Sequence, residues 1–386
     1  MDDQKISLLL LLDLSGAFDT IDHMCLLQTL KTHFWINGKA LAWIESYLAD
    51  RKQTVEIDDT ESDVFKVPFG VPQGSRLGPL LFTLYTSRLL TNIQKEFPMI
   101  TCHCYADDTQ IYLSFCPNTP NEDYCISVLE TCIKYIRAWM LQNKLMLNDR
   151  KTELLVIGTS RQVSKFKSNG ISVGDTAIKP SHNVRNLGVL FDTQLNMESQ
   201  IISVCKSAYY MIYNLRRIRK YFDQDSMKTV VHACITSKLD YCNSLLYGLP
   251  LSQIAKFQRV QNTCARLICN LPKFAHVTPL LKELHWLPVR QRIEFKMLMI
   301  VYKALNCQAP SYIIELLNLK FQTHGHNLRS TQDTLALQIP QIRTKVTLGD
   351  RSFYCAAPRL WNKLPVDIRK SQTLESFKSK VKTYLF

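Results

Sequence analysis

The sequence predicts an α+β protein: an antiparallel sheet packed on helices in the N-terminal half, then a mostly helical C-terminal half. Three observations carry this. Apolar runs of strand character at 6–14 and 101–115 are interleaved with stretches whose apolar residues recur at helical spacing. From residue 197 onward the strand character ends and helical spacing takes over. The charge divides similarly: residues 1–160 hold 14 Lys and Arg against 20 Asp and Glu, net −6, whereas 161–386 hold 33 against 13, net +20.

"SLLLLLDLSGAFDTIDHMCLLQTL" (7–30) begins as a continuous apolar run, the pattern of a strand buried on both faces, and meets Asp13 at its end. Ser15 and Gly16 break it, and short helices are expected at 21–31 and 38–49. "QTVEID" (53–58) and "FKVPFG" (65–70) alternate like paired strands. "GVPQGSRLGPLLFTLYTSRLL" (70–90) is a Gly/Pro-rich loop feeding a helix. In "CHCYADDTQIYLSF" (102–115) two adjacent acids interrupt a run that favours strand. Neighbouring side chains in a strand face opposite ways, so a hairpin is expected, with strands 101–106 and 110–115 and a turn at 106–109. A helix near 122–142, a strand–turn–strand at 145–158 and a strand pair at 171–192 complete this half. Helices are expected over 197–222, 224–247, 251–269 and 289–306, and 307–386 is punctuated by proline.

The length of 386 residues allows two or three domains, each with its own core. The 13 cysteines show no tight pairing pattern, and "ISLLLLLDL" is too short to cross a bilayer. A chain with reduced thiols, in nucleus or cytoplasm and with no membrane partner, is the expectation. The basic C-terminal half fits a polyanionic partner.

Asp13 closes a buried strand, and Asp107 with Asp108 sits in a hairpin turn. If these elements adjoin in one sheet, three carboxylates converge and require a cation. Hard oxygen ligands select Mg²⁺, and two such ions can stabilise the attacking and leaving oxygens of a phosphoryl displacement. Cys102-His103-Cys104 lacks metal-site spacing.

The ordered blocks "LLDLSGAFDTIDH", "GVPQGSRLGPLLF", "YADDTQIY", "LMLNDRKTELLVIG" and "NLGVLFD" resemble the palm motifs of reverse transcriptases. They are most similar to those of non-LTR, LINE-type retrotransposons of the jockey-like group. Downstream stretches such as "LDYCNSLLYGLP" and "LHWLPVRQRIEFK" resemble the region that follows the palm in these elements. The resemblance implies an RNA-directed DNA polymerase that uses two Mg²⁺ ions, an RNA template, a DNA primer and deoxynucleoside triphosphates. It implies a palm over 1–195, a helical thumb over 196–270 and a C-terminal region over 271–386.

Carried over by position, Asp13, Asp107 and Asp108 would hold the metal, with the carbonyl of Leu14 completing one shell. Phe18 would be the bulky gate against a ribose 2′-hydroxyl. Gln73 and Gly74 would lie under the template and incoming nucleotide, and Lys151 would approach the triphosphate. Leu187, Gly188 and Val189 would grip the primer, and Arg216, Arg217, Arg219 and Lys220 would meet the nucleic-acid backbone. Arg76 stands where the family carries a small apolar residue. Asp13 lies only a dozen residues from Met1, so the fingers and endonuclease of such elements are expected to be missing. A catalytically inactive nucleic-acid-binding remnant is the alternative expectation.

Overall fold

The computed structural model describes residues 4–117, 121–174, 176–319, 335–340 and 347–386. The chain divides into two compact units, one running to Gly188 and taking in Asp192–Gln194, the other formed by Val189–Phe191 and Leu195–Phe386.

The first unit is organised by the strand Ile6–Leu12, which sits in the middle of a five-stranded sheet. It pairs antiparallel with Asp108–Phe115 on one side and Glu153–Ile157 on the other. Thr101–Tyr105 lies beyond Asp108–Phe115, and the short Pro180–Ser181 runs parallel to Glu153–Ile157 at the opposite edge. Ile6, Leu8, Leu10 and Leu12 are almost wholly buried, whereas Ser7, Leu9 and Leu11 on the other face are half-buried. The expectation of burial on both faces is thus corrected: only alternate residues enter the core, each contributing about 2 kcal/mol of apolar burial. The second face carries Gln110, Tyr112 and Ser114 from the neighbouring strand, with Ser7 Oγ 2.7 Å from Ser114 Oγ.

Helices His23–His33, Gly38–Leu48, Gly78–Glu96 and Asn121–Gln142 accompany the sheet. The core cluster draws Leu26, Leu30, Phe82, Tyr85, Leu129 and Ile133 from them onto the apolar face of the strands. Asp22 caps the first helix by accepting from the N–H of Cys25 at 2.9 Å. Ser75 Oγ accepts from Gly78 N–H at 3.0 Å, and proline occupies the first turn of that helix, where no intrahelical N–H bond is lost.

Several boundaries differ from the sequence expectation. The strand pair at 53–70 shrinks to two-residue pairs, Lys52–Gln53 with Phe65–Lys66 and Glu56–Ile57 with Thr60–Glu61. All four pieces are exposed, so no core holds them extended. In 145–158 the first strand is reduced to a single bridge between Leu14 and Leu147, followed by a 3₁₀ turn at Asp149–Lys151.

The second unit is helical. Glu198–Ile218 buries Ile201, Ala208, Ile212 and Leu215 in a core shared with Leu251–Ile268. The expected helix over 224–247 is broken into Gln224–Val231, a π-helical turn at His232–Thr236, Ser237–Asp240 and a 3₁₀ turn at Asn243–Leu246. Val289–Leu305, Phe353–Asn362 and Leu374–Leu385 build a further cluster around Trp361, Tyr302 and Phe377. No disulfide forms among the described cysteines. No helix among the described residues is long and apolar enough to cross a membrane.

Candidate active site

Strand register assembles the acids. The ladder ends with Leu12 facing Thr109, so Asp13 and Asp108 are the next residues along the two strands beyond the last pair. Tyr105 pairs with Asp108, leaving Ala106 and Asp107 as a two-residue turn, tighter than the four residues expected from sequence. Ala106 takes φ 52°, a left-handed value that favours glycine, and so concentrates strain beside the acids. Asp13 falls on the half-buried face of the sheet, in line with Leu11 and Leu9.

Electrostatics reports the same proximity. The Asp108 carboxyl is raised above the usual aspartate value, first by partial desolvation, then by the negative charges of Asp107 and Asp13. It is nonetheless an exposed side chain, so the repulsion is screened.

Lys151 forms an ion pair with Asp13, its Nζ 3.4 Å from Oδ2, with the lysine side chain 70% and the aspartate 31% exposed. The same Oδ2 is buried and makes no hydrogen bond among the described residues. The two facts agree if the lysine acts through charge at poor hydrogen-bond geometry, which leaves lone pairs for another partner. The backbone nearby is fixed by Asn148 N–H to Asp13 O and Ser15 N–H to Met146 O, both 2.9 Å, and neither bond uses the carbonyl of Leu14.

Among the described residues, no three Asp, Glu, His or Cys side chains are arranged as a ready metal cage. The donor set still suits a hard cation: a buried carboxylate oxygen that makes no hydrogen bond, two further acids within electrostatic reach, and no thiolate or imidazole among them. Mg²⁺ is commonly held by one or two carboxylates plus waters and substrate phosphates, so an incomplete protein shell fits it.

The "PQG" loop is bound to the segment after the first strand. Val71 N–H donates to Phe18 O and Gly70 N–H to Ile21 O, both 2.8 Å, and His23 Nε2 lies 2.8 Å from Gly70 O. Gly70 is required here: at φ 82° an added Cβ would fall 2.8 Å from the backbone of Asp19. Gln73 Nε2 donates to Asp19 Oδ2 at 2.9 Å, and Gly74, at φ 78°, is exposed with open space around it. Phe18 is half-buried against Phe82, ring centroids 5.1 Å apart. Leu187 and Gly188, at φ 45° and 80°, form the turn between Asn183–Asn186 and Val189–Asp192.

Sequence reasoning missed two pairings. Asp19 orients Gln73. Gln110 and Asn186 exchange amide hydrogen bonds of 2.7 and 3.0 Å, tying the strand before the 187–188 turn to a residue two positions from Asp108. Both join residues more than 50 positions apart, so no local pattern announces them.

Of the four cations grouped on one helix end, Arg216, Arg217 and Lys220 are exposed. Arg219 is half-buried. Its guanidinium donates to Leu267 O and Ile268 O at 2.8 and 2.9 Å, satisfying two carbonyls at the end of Leu251–Ile268, and to Phe222 O at 2.6 Å.

Residues 1–191 match the family model described as "Reverse transcriptase (RNA-dependent DNA polymerase)". Among curated proteins, the chain is 26% identical over 307 residues to "Probable RNA-directed DNA polymerase from transposon BS" of Drosophila melanogaster, covering 76% of this chain and 32% of that protein. It is 23% identical to "RNA-directed DNA polymerase from mobile element jockey" of Drosophila funebris, covering 68% and 28%. The chain thus spans about a third of the length of the curated relatives it matches. Among solved structures, apo telomerase from Candida tropicalis matches at 14% identity and a TM-score of 0.34, over 72% of this chain and 53% of that one.

Proposed function

From the premise that residues 1–191 are a reverse-transcriptase domain of the LINE type, we propose that this chain supplies the catalytic rim of an RNA-directed DNA polymerase. It extends a DNA 3′-hydroxyl on an RNA template with deoxynucleoside triphosphates. The supporting observation is the register that ends on Leu12 and Thr109, one residue short of Asp13 and Asp108, with Asp107 in the adjoining turn and the charges of Asp13 and Asp107 both acting on Asp108.

Residues 1–195 act as the palm, 196–270 as a thumb, and 271–386 as a further helical region. Asp13, Asp107 and Asp108 hold divalent cations, taken as Mg²⁺, whose charge when bound favours in-line displacement at the nucleotide's α-phosphate. Lys151 keeps the Asp13 side from carrying uncompensated charge and offers an ammonium to the leaving pyrophosphate. Phe18, fixed against Phe82, presents a bulky wall that favours a deoxyribose. Gln73, held by Asp19, and the bare backbone at Gly74 form a shelf for the templating pair. Leu187, Gly188 and Val189, steadied through the Asn186–Gln110 pair, hold the primer end near the acids. Arg216, Arg217 and Lys220 meet phosphates without reading bases. The protein works where its template RNA is, in nucleus or cytoplasm.

Primer extension on an RNA template with the purified chain and its Asp107→Ala variant tests this. Extension by the wild type and none by the variant is expected. No product from either, under varied Mg²⁺ and template, removes polymerase activity from this chain.

A further inference from the structure

The second unit holds a cavity of about 560 Å³ lined by Lys228, Arg292, Lys296 and Lys382, with Asp240 as the acidic residue of its described wall. The cations come from three separate helices, Gln224–Val231, Val289–Leu305 and Leu374–Leu385. Asp240 is already taken by Arg292, whose Nε donates to Oδ1 at 2.9 Å while its NH2 meets Oδ2. The charge of the remaining wall is therefore that of three lysines. His232 reads that field: its imidazole is held below the usual value by burial, then by Arg292 and Lys228, with Asp240 only partly opposing.

The backbone around the cavity is irregular in ways that shape it. His232 begins the π-helical turn His232–Thr236, a geometry found frequently at functional sites. His285, at φ 53°, closes the helix Val277–Glu283 in a left-handed cap. The N–H of Trp286 then returns to Leu281 O at 2.8 Å, and this cap delivers the indole to the cavity wall. A smaller cavity of about 10 Å³ shares Asp240, Asn243, Trp286 and Arg292 with the larger one. Two of its polar atoms, Trp286 Nε1 and Asn243 Oδ1, are buried with no hydrogen-bond partner among the described residues. Unpaired buried polar groups are costly, so these two atoms call for a polar contact where the two cavities meet, while Leu284, Leu287 and Phe295 leave the larger cavity an apolar portion.

We propose that this cavity is a binding site for a phosphate group carried on a small organic body. The lysines neutralise the phosphate, and Leu284, Leu287 and Phe295 pack the organic part. The volume suits one nucleotide-sized ligand, either a free phosphate compound or the phosphorylated end of a nucleic acid. The site uses none of the acids at the sheet rim, so it stands or falls separately from the polymerase reading.

The test uses the full chain and a variant carrying Lys228→Ala, Lys296→Ala and Lys382→Ala, with folding checked by thermal melting. Fluorescence anisotropy compares one labelled oligonucleotide with a 5′-phosphate or a 5′-hydroxyl, and calorimetry measures inorganic phosphate and pyrophosphate. A preference of about tenfold or more for the 5′-phosphate, lost in the variant, supports the site with a nucleic-acid end as its source. Saturable phosphate or pyrophosphate binding without that preference, again lost in the variant, supports it with a free phosphate compound. Neither effect in the wild type, or the same binding in wild type and variant, overturns it. If the triple variant unfolds, Lys296→Glu alone, at an exposed position, replaces it in both measurements: loss of binding supports the site, and unchanged binding overturns it.

Discussion

The acidic rim of the sheet and the basic cavity of the helical unit solve opposite charge problems by different means. At the rim, like charges are brought together by the ladder: once Leu12 faces Thr109, Asp13 and Asp108 follow at the same end of two neighbouring strands. In the cavity, like charges arrive from three helices far apart in sequence, and only their packing makes them neighbours. A site written into strand register leaves a motif. A site written into helix packing leaves scattered lysines that look like ordinary surface.

The comparison is tested most severely at the rim. Asp13→Asn keeps the shape and removes the charge that faces both Asp108 and Lys151, and primer extension should fall by about a hundredfold or more. Retained extension would mean that the register sets no catalytic group. Leu10→Ala attacks the ladder instead of the acid. It opens a cavity in the central strand and should cost about 2–5 kcal/mol in chemical denaturation, with activity falling only as folding does.

The helical unit gives a matched pair of arginines. Arg219→Ala strips donors from three carbonyls and should destabilise by about 1–3 kcal/mol. Arg217→Ala, at an exposed position, should leave the melting temperature alone and lower the salt slope of nucleic-acid binding by about one. Equal effects of the two on stability would erase the distinction between them.

The smallest effect concerns Asp108. Its folded value lies above the ordinary one, so the unfolded chain releases this proton first. The associated stability is present below the unfolded value and lost as pH rises through the folded one. In chelator, Asp108→Asn should therefore melt slightly higher than wild type at neutral pH, with the gap closing in acid. A divalent cation should shrink or reverse it.

What the sequence makes legible follows the same division. Asp13 at the end of an apolar run and the paired acids in a hairpin are legible because strand periodicity is local, although the turn is two residues long rather than four. Gly70, Asp19 and the Gln110–Asn186 pair are not, since each acquires its meaning from a segment dozens of positions away. The carbonyl bonds of Arg219 are not legible either, because a cluster of cations does not say which member curls back onto a carbonyl. The π-helical break at His232–Thr236 is equally hidden within an expected long helix.

The central position of Ile6–Leu12 has a kinetic consequence. Both of its hydrogen-bonding partners, Asp108–Phe115 and Glu153–Ile157, follow it in the chain by about a hundred residues or more. During synthesis this stretch of five consecutive leucines must wait with one edge uncovered until residue 115, and with the other uncovered until residue 157, has left the ribosome. Such late closure slows folding and leaves the nascent chain open to self-association along this one heptapeptide.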